Sequence, residues 1–334
     1  MSDFLARLER FLTERKENLN IEQLTPDAST REYFRVGWKG ETAIACVYPE
    51  PFVAAEQTYL DVTNLFASAG LPVARIFEFD EALGVIIQED LGDTILRDVL
   101  EKADEKARGL LIDAAIVLIA QIQAATPLAF ELDSIASRLK FDTEKLLWEL
   151  EFFKTHYFGT YKGESLGTED DAALTAEFRE LASELESKAT VLCHRDFHAA
   201  NLMLYNGGIS IIDHQDARIG SVAYDLVSLL LDRVTESPSA EWLAAKRRFF
   251  LEQRRSRRLE PIDEAVFAEE FRLQTIQRCL KAIGTFSFQS VNRGKTYFVP
   301  FIKPMFEIVL RAAENLDRFH AIRKIVSREI SRDA

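Results

Sequence analysis

Between Thr190 and Asp232 the chain alternates short apolar runs with polar breaks, and the spacing leaves few ways to fold. Thr190-Val191-Leu192-Cys193 has the composition of a short buried strand. His194-Arg195-Asp196-Phe197-His198-Ala199-Ala200-Asn201 follows it. Two more strand-like runs, 202–205 and 209–212, flank Asn206-Gly207-Gly208. Asn-Gly is a strong hairpin signal because tight hairpin turns need positive φ at their centre. With Gly207 at the centre, Asn201 and Asp213 lie equally far from the turn. They are then expected to face each other across the ladder, with Cβ atoms ~5 Å apart.

That placement has chemical content. An amide oxygen beside a carboxylate suits Mg²⁺, which takes few protein ligands and keeps positions for water and phosphate. Asp196, at the mouth of the hairpin, is expected to stay off the ion and to accept a hydroxyl proton. One stretch thus offers a base, an amide ligand and a carboxylate ligand, which phosphoryl transfer requires. Asp, Asn and Gly also cap turns routinely. Here, however, residues 194–201 fit the whole pattern H-R-D-x-x-x-x-N.

A chain of 334 residues suits two lobes better than one small core. The net charge of −13 argues against nucleic acid as the main partner. An anionic small substrate remains compatible, since a local cationic pocket can sit in an acidic protein. Cys46, Cys193 and Cys279 are dispersed and odd in number, which suggests reduced thiols in a cytoplasm. Met1-Ser2-Asp3-Phe4 lacks the layout of a signal peptide. No apolar run is expected to approach the ~20 residues of a membrane span. A cytoplasmic monomer with no membrane or nucleic-acid partner is the expectation.

Phe4, Leu5, Leu8, Phe11 and Leu12 recur at helical spacing over 3–17. Residues 33–36 and 42–47 read as strands. Before them, Pro26 to Arg31 is a polar turn whose hydroxyls and amides, Ser29 and Thr30 included, could hold phosphate oxygens as a nest does. Residues 52–69 read as a helix closed by Gly70 with Pro72 beyond. Strands are expected over 73–79 and 84–88. From there to Lys188 the pattern is almost wholly helical. The expected division is therefore a strand-rich lobe over 1–88, a hinge at 89–93 and a helical lobe over 94–334, with a ligand cleft between lobes. Helices are expected over 110–123, 141–157, 171–188, 223–234, 239–254, 262–288 and 299–319.

Residues 194–203, Ile211-Ile212-Asp213-His214-Gln215-Asp216 and Ala223-Tyr224-Asp225-Leu226 together resemble the aminoglycoside phosphotransferase family, a branch of the protein-kinase-like fold. The likeness covers nearly the whole chain. It implies an α+β bilobal fold, with a small antiparallel-sheet N-lobe and a larger helical C-lobe. It implies ATP and Mg²⁺, with Asp196 as catalytic base and Asn201 and Asp213 on the metal. His198 would stand where protein kinases carry a lysine beside the transferring phosphate. Asp225 would tie its helix to the catalytic loop, and Glu89 to Leu91 would read adenine through the backbone. Within the family the chain is similar to bacterial amino-sugar 1-kinases, which phosphorylate the anomeric hydroxyl of N-acetylmuramate and N-acetylglucosamine. The stretches 27–35, 149–153, 213–217 and 277–284 carry that likeness.

The third strand, Ala43 to Val47, has no lysine where protein kinases place one for the phosphates. Arg31 and Arg35 are the nearby cations that could serve. Arg278 and Lys281 lie three apart on one helix and share a face, so a substrate carboxylate would suit them, while Glu149 could receive sugar hydroxyls or an N-acetyl NH. Two rival functions remain open. A kinase for aminoglycosides or another small alcohol would draw on the acidic stretch 260–270. A non-catalytic ATP-binding module would explain the missing lysine.

Overall fold

A computed structural model describes residues 3–24 and 30–332. In chain order the elements are α1 (Asp3–Glu14), β1 (Ile21–Leu24), β2 (Glu32–Trp38), β3 (Glu41–Val47), α2 (Thr58–Ser68), β4 (Ile76–Asp80), β5 (Val85–Glu89), α3 (Leu96–Lys102), α4 (Glu105–Ala124), α5 (Thr126–Glu131), α6 (Ile135–Arg138) and α7 (Thr143–Phe153). They continue with α8 (Thr168–Ser187), β6 (Ala189–Cys193), β7 (Leu202–Tyr205), β8 (Gly208–Ile211), β9 (Arg218–Ser221), α9 (Tyr224–Leu231), α10 (Ala240–Ser256), α11 (Glu264–Asn292), α12 (Ile302–Glu314) and α13 (His320–Arg332). Two compact units emerge. The first takes residues 1–103, 128–136 and 199–216; the second takes 104–127, 137–198 and 217–334.

The first unit is built on an antiparallel sheet of order β1-β2-β3-β5-β4. Its period-2 alternation explains both faces. Phe34, Val36, Trp38, Ala43, Ala45, Val47, Val85 and Ile87 point to one side and are covered by Leu8, Phe11 and Leu12 of α1. Cys46 and Ile86 point to the other, where Tyr59 of α2 meets them. Gly70, at φ +69°, ends α2 by accepting a left-handed cap, after which the Leu71 N–H reaches Phe66 O at 2.9 Å.

The division differs from the expected 1–88, 89–93 and 94–334. The first unit runs on to Ala103 and also holds the β7–β8 hairpin. Backbone bonds explain this: the Ile211 N–H donates to Pro72 O at 2.7 Å and the Leu204 N–H to Thr94 O at 2.8 Å. The hairpin is thereby stitched to both sides of the crossing segment.

In the second unit α11 is the axis, packed by α7, α9 and α12. It approaches α7 most closely at Gly284, where a Cβ would stand 2.6 Å from the Phe153 Cα. A short sheet joins β6 to β9 in antiparallel register, Cys193 against Arg218. β9 was not expected, since Gly220-Ser221 reads as a helix opening. Gly220 is there because a Cβ would lie 2.9 Å from both Cys193 Sγ and Phe141 Cδ2. The single helix expected over 299–319 is instead a 3₁₀ turn at Thr296–Phe301 followed by α12. Positive φ at Asp317 and Phe319 then breaks the chain before α13. The expectation that no stretch approaches a membrane span is also corrected: Glu105–Glu131 has the length and apolarity of one. α4, its longer part, packs against β6, α9 and α10, with Ile116, Ile119, Ala120 and Ile122 fully enclosed. Helices packed on several sides are apolar around much of their circumference.

Candidate functional site

β6 delivers the chain to a loop held by one carboxylate. Asp225, buried in the first turn of α9, accepts the His194 N–H at 2.7 Å and the Arg195 N–H at 3.0 Å. Arg195 sits at φ +84°, a backbone state that costs energy for a side chain of this size. Asp225 offsets that cost with two charge-assisted bonds. The two bonds tie α9 to the loop at His194 and Arg195. Burial pushes the Asp225 carboxyl up to about 6, against the pull of His194 and the two N–H donors.

Asp196 follows, its side chain 28% exposed. Arg278 Nη2 donates to Asp196 Oδ1 at 2.9 Å, and Lys281 Nζ lies 3.6 Å from the same oxygen. Arg195 Nε is 3.8 Å from Oδ2. Burial alone would raise this carboxyl. Lys281, Arg278, Arg195 and His198 outweigh burial and hold it well below the usual carboxylate range. Arg278 is fixed from behind, with Nε donating to Ser228 Oγ at 2.8 Å and its guanidinium 5.6 Å from the Tyr224 ring centre.

His198 does not carry the charge a lysine would bring. Burial lowers its imidazole, with Asp232 and Asp196 pulling the other way. Glu149, expected to meet sugar hydroxyls, is corrected: its side chain is 0% exposed. Its Oε2 accepts Gln277 Nε2 at 2.8 Å, and its Oε1 faces Lys281 Nζ at 3.8 Å. α7 and α11 enclose it at their crossing.

Asn201, Asp213 and Arg31 belong to the first unit. Leu202 pairs with Ile211 and Tyr205 with Gly208, so the turn is the two-residue Asn206-Gly207, with φ of +50° and +77°. The centre therefore lies half a residue earlier than expected, and Asn201 faces Ile212, whose N–H donates to Asn201 O at 3.1 Å. Asp213 leaves the ladder instead. At φ +59° the backbone turns there, and the carboxylate Oδ2 meets Asn201 Nδ2 at 3.5 Å. Asn201 and Asp213 do converge, through a left-handed residue and not through cross-strand pairing.

Gln215 Nε2 donates to Asp213 Oδ1 at 2.9 Å, and Arg31 Nη2 stands 3.6 Å from that oxygen. Arg31 is half-buried, with Tyr33 and Tyr48 ring centres each 5.7 Å from its guanidinium carbon. Among the described residues no group of three or more His, Cys, Asp or Glu could hold a metal. The fit rests on Asn201 and Asp213. An amide oxygen and a carboxylate suit a magnesium ion that fills its shell with water and phosphate. The Asn201 amide presents nitrogen here; turned over, it presents oxygen.

Arg35 is corrected as a phosphate cation. Its Nε donates to Asp90 Oδ2 at 2.7 Å and its Nη2 to Asp93 Oδ1 at 2.7 Å, which ties β2 to the crossing segment. The Glu89 N–H is spent on Arg75 O at 2.8 Å, and Tyr205 Oη donates to Glu89 Oε1 at 3.2 Å, so that residue serves the sheet. Leu91 packs with Ala74 and Met203 in an apolar cluster flanked by Ile95, Tyr205 and Ile212. Thr30 is exposed just before β2, while Ser29 lies outside the described residues.

Three further residues shape the surroundings, none of them among the expected site residues. His214 bonds Thr63 Oγ1 at 2.7 Å and stacks on Tyr59 and Phe66 of α2, which orients the Asp213 turn. Asp232 acts electrostatically on both His198 and Arg278. Gln274 joins Gln277 behind Glu149 at 2.9 Å. Gln274, Gln277, Arg278 and Lys281 form a polar stripe at helical spacing on α11, and that signal was legible. Four carboxylates of the acidic stretch 260–270 are otherwise engaged. Asp263 caps α11, Glu264 pairs with Arg248, Glu269 with Arg318, and buried Glu270 accepts the Ala223 N–H.

Residues 20–261 match the phosphotransferase enzyme family. A protein of Neisseria meningitidis named N-acetylmuramate/N-acetylglucosamine kinase is 30% identical over 85% of this chain and 83% of its own length. One of the same name from Pseudomonas aeruginosa is 30% identical over 82% and 78%. Among solved structures, a choline kinase from Streptococcus pneumoniae superposes with a TM-score of 0.60 at 15% identity, covering 93% of this chain and all of that one. An aminoglycoside phosphotransferase in ternary complex with AMP-PNP and hygromycin B gives 0.59 at 19%, covering 93% and 99%. The α+β arrangement described above is their protein-kinase-like fold.

Proposed function

Because the chain belongs to the phosphotransferase enzyme family and is an ATP-dependent kinase, we propose that it phosphorylates the anomeric hydroxyl of an N-acetylated amino sugar, N-acetylmuramate or N-acetylglucosamine. The observation that carries the reading is the convergence of Arg278 and Lys281 on the Asp196 carboxylate. It sets a base beside two cations that can receive an acceptor's carboxylate. A base so paired is weak, which suits an anomeric hydroxyl, more acidic than an ordinary alcohol. Asp196 orients that hydroxyl and takes its proton. The sugar oxygen bonds to the γ-phosphorus as the bond to the bridging oxygen breaks, and ADP leaves.

Asn201 and Asp213 would hold magnesium, which when bound neutralises charge on the transferring phosphoryl group. Arg31 takes the phosphate role of the missing lysine, with Thr30 beside it and Ser29 next to that in sequence. The backbone at Asp90 and Leu91, over the Leu91 cluster, receives adenine, with 89–93 as hinge. His198 lines the transfer path as a neutral imidazole.

Phosphorus NMR of the product tests the proposal. A sugar 1-phosphate, with phosphorus coupled to the anomeric proton, is expected from at least one of the two sugars. Phosphorylation at another hydroxyl, or turnover of aminoglycosides in preference, would sink it. Asp196→Asn is expected to lower kcat by roughly 10² to 10⁴-fold while ATP still binds; near-full activity removes Asp196 as base. Lys281→Ala is expected to raise KM for N-acetylmuramate by roughly tenfold and to affect N-acetylglucosamine less. Equal effects on both sugars would separate Lys281 from the carboxylate.

A further inference from the structure

We propose that Glu149 is a positioning residue for the catalytic base, acting through Lys281: its carboxylate draws the lysine ammonium partly off Asp196. The inference rests on the reading of Asp196 as base. Lys281 Nζ stands 3.8 Å from Glu149 Oε1 and 3.6 Å from Asp196 Oδ1. Both distances exceed a hydrogen bond. An ammonium with three donors is thus suspended between two carboxylates and bonded to neither. Arg278 behaves differently on the same Asp196 oxygen, bonded at 2.9 Å and anchored at Ser228.

Glu149 cannot move toward Lys281, because a buried relay holds it. Ser221 Oγ donates to Gln274 Oε1 at 2.8 Å, Gln274 Nε2 to Gln277 Oε1 at 2.9 Å, and Gln277 Nε2 to Glu149 Oε2 at 2.8 Å. Glu149 Oε1 has no hydrogen-bond partner. A fully enclosed carboxylate with one open oxygen is costly. Among the described residues Lys281 forms the ion pair with that oxygen, so the geometry gives the cost an effect. Burial lowers the Lys281 ammonium from its ordinary value, and Asp196 and Glu149 together support its charge.

Without the Glu149 charge, Lys281 closes on Asp196. The base then carries two full charge-assisted bonds on one carboxylate oxygen, which weakens it as a proton acceptor. Turnover falls because the lysine goes to the wrong place, not because a contact with substrate is lost. Removing the lysine as well should therefore undo the damage.

The test measures kcat and KM on the full-length enzyme with the neutral acceptor N-acetylglucosamine, so that no substrate carboxylate engages Lys281. Glu149→Gln keeps the shape and can still accept from Gln277. It is expected to lower kcat roughly 10- to 100-fold with KM for ATP changed less than about twofold. In the Lys281→Met background the same change is expected to alter kcat less than about twofold, and the double variant should exceed E149Q alone. A further drop from K281M to the double variant, or a double variant no better than E149Q, overturns the proposal. Should E149Q alone not fold, the comparison of K281M with the double variant carries the test. Gln277→Met leaves the charge and frees it to close on Lys281, which draws the lysine further from Asp196, so kcat is expected to stay within about threefold of wild type or to rise; a loss as large as that of E149Q overturns the proposal. If Asp196→Asn stays active the underlying reading fails; if only the epistasis fails, this inference fails alone.

Discussion

Asp196 in the loop after β6 and Asp225 in the first turn of α9 pull stability in opposite directions with pH. Asp196 is held well below the usual range by Lys281, Arg278, Arg195 and His198, which outweigh its burial. The stability it contributes is present above the ordinary aspartate value and is lost as pH falls through its depressed one. Asp225 is raised to about 6 by burial. Its contribution is complete below the ordinary value and is lost as pH climbs through about 6. Melting curves between pH 4 and 7 should show Asp225→Asn with a flatter decline toward neutrality than the wild type, while Asp196→Asn melts lower at pH 7 because three cations lose their counter-charge. A D225N profile parallel to wild type would contradict the buried-carboxyl account. The sequence pattern puts Asp196 in the loop and Asp225 on the helix expected over 223–234, but the cations that surround Asp196 and the enclosure of Asp225 come from packing that no local pattern records.

At the scale of elements, the hairpin shows what local chemistry can and cannot specify. Asn206-Gly207 was legible as a tight turn, and the strands formed where apolar residues flanked it. The register lies half a residue from that of a turn centred on Gly207, because a two-residue turn has its centre between residues. The convergence of Asn201 and Asp213 survived through the backbone bend at Asp213, which His214 and α2 support. Gly207, at φ +77°, should not tolerate a side chain. Gly207→Ala is expected to cost about 1 kcal/mol in chemical denaturation. The α7–α11 crossing is a stricter case. Gly284→Ala places a methyl against the Phe153 backbone, and a destabilisation of about 1–3 kcal/mol is expected. It should also reduce kcat, since the same crossing sets Glu149 beside Lys281. Unchanged melting in G284A would show that the helices separate freely.

For the whole molecule, the strand-rich beginning and helical remainder were readable from periodicity, and both units carry them. The partition was not, because the hairpin joins the first unit through backbone bonds to Pro72 and Thr94 that leave no trace in composition. Ligand linkage should report on the assembled nucleotide site. ATP with Mg²⁺ at about 100 times its Kd is expected to stabilise the native state by about 2.7 kcal/mol, seen as a rise in Tm. Asp213→Asn should abolish most of that rise, and EDTA alone should leave the Tm of the nucleotide-free protein unchanged. A D213N protein stabilised as strongly as wild type would remove Asp213 from the metal.

By itself the sequence determined the parts list: a loop with Asp196 and Asn201, a hairpin leading to Asp213, and a polar stripe along one helix. These are set by turn chemistry and periodicity, which act over a few residues. Only the tertiary structure decided how the parts are charged and held. It buried Glu149, spent Arg35 on Asp90 and Asp93, left Arg31 beside Asp213, and brought Arg278 and Lys281 onto Asp196 from more than eighty positions away. The electrostatics of a buried side chain depend on which distant segments exclude its water, and no local pattern records that.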